Sequence, residues 1–321
     1  MSDLSTTYLG LELRNPIVVG SSGLSNSPKK VEACARAGAG AVVLKSIFEE
    51  EINEELQKIA RANAWYPEAA DYVRSYGRQN AVSHYLDLIY KSKDLVEIPV
   101  IASIHCVSPG AWTEFASRAD KAGADAIELN VFMLPTDTDL GPSDYDKIHI
   151  DILQDVKSKV DVPVCMKIGT HFSSLARMAM ILSHYGADGL VLFNRFLRMD
   201  IDIDDLSLVP GNPFSVPAET LVPLRWVSLL SKSINCDIVG TTGIHSWKEV
   251  VKHLLAGASA VQICSCLYQN GVEHIGKLLS GVENWMDDKG FGSIDQFRGK
   301  LARKAERKAT AWERVQYMKE E

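Results

Sequence analysis

The feature that most restricts the fold of this chain is a recurrence. Four times a helix-like stretch runs into a glycine, one or two small residues and a short apolar run: Gly38 to Leu44, Gly123 to Leu129, Gly186 to Leu192 and Gly257 to Ile263. Four more apolar runs, three of them opened by proline, alternate with these: Pro16 to Val19, Pro99 to Ala102, Pro163 to Met166, and Asp237 to Gly240. A glycine after a helix supplies a left-handed C-cap, and a β-branched run without polar alternation reads as a strand covered on both faces. Helix, cap and buried parallel strand, repeated to eight strands, predict an α/β fold of the (β/α)8 barrel type.

In such a barrel the chemistry sits at the C-terminal ends of the strands. Here those ends carry, in order, Ser21 and Ser22, Lys45 and Ser46, His105, Asn130, Lys167, Asn194, Thr241 and Thr242, and Ser265. Strand ends with a purely structural role need no such run of hydrogen-bonding groups. A ring of them around one mouth makes a polar ligand site.

The 321 residues, 46% hydrophobic and 23% charged, suffice for one TIM barrel with extensions, so residues 1–321 are read as a single domain. A net charge of −7 lacks the clustered basic surface that nucleic acid requires. No apolar stretch reaches the ~20 residues of a membrane span, and Met1 to Ser5 has neither a basic nor an apolar targeting region, so a cytoplasmic location is expected. The six cysteines form no C-x-x-C pair and read as small buried hydrophobes, with no metal site expected. Cys264 and Cys266, two apart near the eighth strand, are the weak exception.

Ahead of the first barrel strand, Ser5 to Gly10 and Leu11 to Asn15 read as a hairpin that plugs the barrel bottom. Helices are predicted over Pro28 to Ala37, Val82 to Leu95, Gly110 to Ala122, Ser143 to Val160, Ser173 to Tyr185, Ala218 to Ser233, Ser246 to Ala256 and Val272 to Asp288. Two connections exceed the usual βα length and read as lids. Ile47 to Ala81 is first acidic (Glu49, Glu50, Glu51, Glu54, Glu55) and then aromatic (Trp65, Tyr66, Tyr72, Tyr76). Arg195 to Pro217 alternates Asp200, Asp202, Asp204 and Asp205 with Ile201 and Ile203, which predicts a hairpin across the mouth rather than a calcium loop. From Arg298 to Glu321 the chain is basic (Lys300, Arg303, Lys304, Arg307, Lys308, Arg314, Lys319) and reads as a C-terminal helical extension with a solvated face.

Lys167 carries the most information. A lysine inside Pro163-Val164-Cys165-Met166-Lys167-Ile168 projects from a buried strand and needs an anionic partner. Three roles compete for it: stabilising the anion of a reduced cofactor, forming a Schiff base, or closing a structural salt bridge. The segment Val239 to Ile244 with Ser246 behind it, and Ile263-Cys264-Ser265, place glycine and a helix start where many barrels bind phosphate. A tight βα turn explains the same residues without a ligand. Asn130 and Asn194 each donate and accept at once, which suits a heterocycle with carbonyl and N–H edges, although a strand-end Asn also caps loops.

These residues and their neighbours resemble the dihydroorotate dehydrogenase family, FMN-dependent barrels of pyrimidine biosynthesis, and in particular a divergent dihydroorotate dehydrogenase-like branch. The resemblance rests on Leu11 to Val18, Val43-Leu44-Lys45-Ser46, Ala122 to Asn130, Pro163 to Lys167, Gly240-Thr241-Thr242-Gly243-Ile244 and Phe291 to Leu301, in the family's order along nearly the whole chain. It implies FMN across the mouth, with Ser21, Ser22, Lys45 and Ser46 beside the ring and Lys167 near N1 and the C2 carbonyl. Asn130 would touch both cofactor and substrate, and the phosphate would lie on Thr242, Gly243, Cys264 and Ser265. Substrate contacts would come from His105, Asn130 and Asn194, and the catalytic set from Lys167 and Asn130.

The chain also departs from the family pattern. The loop after the fourth strand reads Val131-Phe132-Met133-Leu134-Pro135-Thr136-Asp137, without the Cys or Ser that takes the substrate's C5 proton in family enzymes; Thr136 or Asp137 is the substitute if that loop folds inward. The glycine-rich segment after the sixth strand is replaced by Val209 to Ser215, and a Gly-Thr pair after the eighth by Cys264-Ser265. The resemblance implies hydride transfer from a dihydropyrimidine-like substrate to flavin N5, a homodimer, and an electron acceptor that the sequence does not name. Other readings remain: a flavin oxidoreductase with another substrate, a Schiff-base lyase or aldolase using Lys167, and a flavin binder without catalysis.

Overall fold

The structure, a computed structural model, describes residues 2–50, 67–107, 109–303 and 311–313. Its strands are β1 (Thr6–Tyr8), β2 (Leu11–Leu13), β3 (Ile17–Val19), β4 (Ala41–Val43), β5 (Ile47–Phe48), β6 (Val100–His105), β7 (Ala126–Asn130), β8 (Val164–Ile168), β9 (Gly189–Leu192), β10 (Met199–Asp202), β11 (Ser207–Pro210), β12 (Asp237–Thr241) and β13 (Ala260–Ile263). Its α-helices are α1 (Pro28–Arg36), α2 (Pro67–Leu95), α3 (Pro109–Lys121), α4 (Pro142–Lys157), α5 (Leu175–His184), α6 (Leu221–Leu230), α7 (Trp247–Ala256), α8 (Ser265–Asn270) and α9 (His274–Lys289).

Among the described residues, β3, β4, β6, β7, β8, β9, β12 and β13 pair in that order, all parallel, and β13 pairs back onto β3 to close the barrel. These are the eight expected strands. β5 continues the line of β4 along β6, pairing Ile47 with Ile104 and Phe48 with His105. Leu44, Lys45 and Ser46 interrupt that line and turn two polar side chains toward the mouth.

Strand alternation divides the side chains into two shells. Ile17, Val42, Leu44, Ile127, Leu129, Met166, Leu190 and Ile263 pack outward under the helices. Val18, Ala41, Val43, Ile101, Ala126, Cys165, Val191, Val239 and Ala260 face the lumen, where Tyr8, Leu9 and Leu13 of the hairpin fill the bottom as expected. That hairpin turns through Leu9 and Gly10, both at positive φ (57° and 72°), the twist that a two-residue loop requires. The Asp237 carboxylate accepts the Leu9 N–H at 2.7 Å and holds the plug in register with β12.

Several boundaries differ from expectation, each for a local reason. α2 begins at Pro67 rather than Val82, because proline at the first turn followed by Glu68, Ala69 and Ala70 is a strong helix start. The long connection after β5 is shorter by the same amount. α6 spans less than Ala218 to Ser233: Pro217 to Thr220 form a 3-10 turn ahead of it. The hairpin after the sixth barrel strand is present, with Ile201 opposite Leu208. Met199, Ile201, Ile203, Leu206 and Leu208 are exposed on it, and none of its residues lines the cavity at the mouth. Asp202 accepts the N–H groups of Asp204 and Asp205, which lowers its pKa, so part of the acidic cluster is turn chemistry. The expected acidic residues Glu51, Glu54 and Glu55, the aromatics Trp65 and Tyr66, the side chains of Tyr72 and Tyr76, and most of the basic C-terminal extension lie outside the described residues.

Behind β12, the ring of His253 on α7 packs so close to Gly240 that a Cβ there would stand 2.2 Å from Nδ1. His253 is fully buried, shares a 3.0 Å hydrogen bond with Thr220 Oγ1, and leaves Nδ1 without a partner. Burial, opposed by Glu249 and assisted by Lys252, lowers its pKa from 6.5 to about 4. The unfolded chain therefore binds a proton at this residue before the folded one does. The stability due to a neutral His253 is complete above about pH 6.5 and is lost as the pH falls toward about 4, at up to about 1.4 kcal/mol per pH unit. Urea denaturation at pH 7, 5.5 and 4.5 should show a His253→Gln variant losing less stability over that window than the parent. Equal slopes would exclude His253 as the group responsible.

Candidate active site

A cavity of about 350 Å³ opens at the C-terminal mouth of the barrel. Ser21 and Ser22 from the loop after β3, Lys45 and Ser46 between β4 and β5, Asn130 ending β7, Lys167 in β8 and Asn194 after β9 all line it. Thr241, Thr242 and Gly243 after β12, and Cys264 and Ser265 after β13, complete the polar wall. Two expected residues are not brought there. His105 is buried beside the cavity, with Nδ1 2.8 Å from the Asn130 carbonyl and its ring packed among Phe48, Trp112 and Phe132. Thr136 lies exposed on the loop after β7, so the inward fold that would have made it a base is not the one adopted.

At the cavity floor, Lys167 finds its anionic partner. Nζ donates to Gln262 Oε1 at 3.3 Å and lies 3.9 Å from Glu128 Oε1. Gln262 Nε2 donates to the other oxygen of Glu128. The Glu128 side chain is wholly buried, and Oε1 accepts no hydrogen bond. Beneath it, burial pushes the Tyr8 phenol and the Cys165 thiol well above their usual pKa values, and the Glu128 charge adds to both. Both stay neutral.

Hydroxyls tie the barrel strands together above this floor. Ser46 Oγ lies 2.7 Å from Ser103 Oγ and 3.0 Å from Ser21 Oγ, and Ser21 Oγ accepts the Ser46 N–H at 2.8 Å. The Tyr85 hydroxyl bridges the backbone of Ser103 from α2. Asn194 donates its amide to the Lys167 carbonyl at 3.2 Å. Asn130 lines the cavity, and its Oδ1 is buried in the wall without a hydrogen-bond partner.

On the far side, Thr242 and Gly243 both hold positive φ, at 75° and 76°. A Cβ at Gly243 would lie 2.3 Å from the Thr220 backbone nitrogen, so only glycine fits the turn. Ser215 stitches this corner: its Oγ accepts the Gly243 N–H and lies 3.1 Å from His245 Nε2, while its N–H reaches Ser265 Oγ. Ser265 opens the short helix α8, with Cys264 at its N-cap. Cys264 is thus a half-buried wall residue, and Cys266 packs away from it in the core.

Strand β5 and the loops supply residues that no spacing in the sequence revealed. Phe48, Phe132 and Phe193 give the cavity an aromatic side, and Phe132 stacks on Phe196 with ring centres 4.1 Å apart. Arg195 pairs with Glu219 at 3.3 Å and donates to the carbonyls of Asn212, Pro213 and Phe214. Glu128 and Gln262 did have a signal: each is a polar residue inside a buried strand, at the same lumen-facing phase as Ala126 and Ala260. Among the described residues no three His, Cys, Asp or Glu side chains stand together as a metal site.

The fold and this mouth define a (β/α)8 barrel protein with a cavity floored by a half-buried lysine, walled by amides and hydroxyls, and ending at a glycine turn and a helix start. The family model for dihydroorotate dehydrogenase matches residues 3–286, and this chain belongs to that family. It is 32% identical over 310 residues to the dihydroorotate dehydrogenase B (NAD(+)) catalytic subunit of Thermoplasma volcanium, covering 93% of this chain and 98% of the relative. The protein of the same name in Methanothermobacter thermautotrophicus is 30% identical over 307 residues, covering 92% and 97%. A putative dihydroorotate dehydrogenase A (fumarate) of Aeropyrum pernix is 28% identical over 305 residues, again covering 92% and 97%.

The Arg195 fork is tested without any ligand. Hydrogen bonds from a charged donor contribute about 1.5–3 kcal/mol each, so Arg195→Ala should free Asn212 to Ser215. Hydrogen exchange by mass spectrometry should speed up at least tenfold in that segment and stay unchanged in β7 and β8. Unchanged protection of the segment would show that the fork does not hold it.

Proposed function

We propose that this chain is an FMN-dependent oxidoreductase of the dihydroorotate dehydrogenase type, acting on a CH–CH bond of dihydroorotate in pyrimidine biosynthesis. The observation that carries the reading is the floor of the cavity, where a lysine faces the lumen with amide and hydroxyl groups above it and a glycine turn beside it. The residues fit FMN. Asn130 Oδ1 is an unpaired acceptor for an N–H edge, Lys167 and the hydroxyls serve a carbonyl edge, and Thr242, Gly243, Cys264 and Ser265 offer a phosphate corner at the start of α8.

Bound FMN supplies a two-electron acceptor at N5, with negative charge developing toward N1 and the C2 carbonyl. Lys167 would hold its cation near that charge, and such a group lowers a barrier when it interacts more strongly with the reduced ring than with the oxidised one. Asn130 and Asn194 orient the substrate from adjoining walls, with the Asn194 amide itself fixed on the Lys167 carbonyl. Phe132 and Phe193 cover one side and exclude water.

The rest of the reading follows from the same assignment. Residues 1–321 form one domain, two copies associate, and the protein works in the cytoplasm. Among the described residues no helix is long and apolar enough to cross a membrane. Relatives are named as a catalytic subunit with NAD(+), so a second subunit that takes the electrons belongs to this proposal. The Schiff-base alternative suits the geometry less well, because Nζ already serves Gln262 and Glu128.

One observation favours a second reading, a flavin oxidoreductase acting on another substrate: the loop after β7 carries no Cys or Ser and presents Phe132 to the cavity. Anaerobic titration of the yellow protein with dihydroorotate separates the two. Bleaching of the visible flavin bands is the expected result, whereas a protein that stays yellow removes dihydroorotate as the substrate. Within the first reading, Thr136→Ala should leave the bleaching rate within twofold of the parent because that side chain is exposed. Lys167→Met should slow it about 10²-fold or more, the scale of losing one preorganised charge-stabilising group; stopped-flow absorbance reads both.

A further inference from the structure

A buried hydrogen bond crosses the barrel lumen below the cavity. Glu128 comes from β7 and Gln262 from β13, the fourth and eighth strands in barrel order and therefore opposite one another. Chemistry fixes the direction of the Gln262 amide. A carboxylate only accepts and an ammonium only donates, so Nε2 must face Glu128 and Oε1 must face Lys167. Gln262 is 1% exposed, and the Glu128 side chain 0%.

Resting on the flavin reading of the cavity, we propose that Glu128, acting through Gln262, is a positioning residue. It fixes where Lys167 presents its charge and sets how much of that charge reaches the ligand above. The Glu128 carboxylate lies below Lys167, with the oxygen 3.9 Å from Nζ accepting no hydrogen bond. Tyr8 and Cys165, the protic groups beneath, remain neutral and add no charge. The floor therefore holds one anion and one cation. Gln262 resists their collapse onto each other, because its carbonyl takes one Nζ donor at 3.3 Å from the β13 side. Lys167 is held between the buried anion and the cavity, free to serve both.

The two halves of this device should act with opposite sign. Glu128→Gln keeps the volume and an acceptor for Gln262 but removes the anion, so the full Lys167 charge faces the ligand. Gln262→Leu removes the tether and lets Nζ settle on Glu128, drawing the charge down. The measurement is the midpoint potential of the flavin bound to purified holoprotein, followed by its visible spectrum against dyes of known potential. Glu128→Gln is expected to raise the ratio of reduced to oxidised flavin about tenfold at a fixed poise, a shift of about +30 mV for two electrons, and Gln262→Leu to lower it by a similar factor. A purely structural role would change the melting temperature of either variant and leave the potential alone.

Potentials equal to the parent's in both variants would overturn the proposal, and so would shifts of the same sign. If Glu128→Gln does not fold, the Gln262→Leu shift decides by itself: a lower potential supports the device and an unchanged one removes it. A parent protein purified colourless, and remaining so after incubation with FMN, is a different failure. It removes the flavin reading itself and this proposal with it.

Discussion

A positive charge inside a closed barrel is the constraint on which the rest of this site depends. Burying Lys167 without an anion would cost several kcal/mol, and the barrel answers with Glu128 on the neighbouring strand and Gln262 from the opposite wall. Three strands thereby commit lumen-facing positions to one polar cluster, directly above a layer of Val18, Ala41, Val43, Ile101, Val191, Val239 and Ala260 that excludes water. Breaking such a cluster by removing one partner leaves an uncompensated charge, which makes all three positions interdependent. The N-terminal hairpin belongs to the same arrangement. Tyr8, Leu9 and Leu13 close the bottom and keep the dielectric low beneath the carboxylate.

Above the floor, precision comes from short connections under tight steric control. Ser21, Ser46 and Ser103 join three strands through hydroxyls, and the Thr242-Gly243 turn is pressed against Thr220 so closely that a side chain on Gly243 is impossible. Arg195 and Ser215 then fasten the loop after β11 to this turn and to α8. The site is polar along its amide and hydroxyl walls and aromatic where Phe48, Phe132 and Phe193 close it. That combination suits a planar heterocycle held face-on and edge-on at once.

The sequence pattern shared with the family is kept at the strand ends of the mouth and departs in the loop after β7. Lys45, Ser46, Asn130, Lys167 and the Thr242-Gly243 turn stand together at the mouth. The loop after β7, by contrast, spends its inward position on a phenyl ring stacked against Phe196 and points Thr136 outward. A stacked aromatic pair is rigid and carries no exchangeable proton. Neither Phe132 nor the exposed Thr136 offers a proton acceptor inside the cavity, which makes substrate identity the property most sensitive to this departure.

The sequence by itself determined the eight-stranded barrel, the bottom plug and the ring of strand-end groups. Each is written locally, in glycine caps, proline starts and uninterrupted β-branched runs, and local steric rules translate those patterns directly into strands and helices. It also determined that Lys167 needs an anion, since burial of a charge is a one-residue argument. Only the tertiary structure decided which anion. Glu128 and Gln262 lie 134 residues apart, and their contact depends on how the strands stagger across the lumen. Tertiary packing likewise turned His105 onto the Asn130 carbonyl, away from the cavity, and brought in Phe132, Arg195 and Ser215 from loops. Loop paths follow from where their ends are anchored and what they can pack against, and neither is encoded within the loop itself.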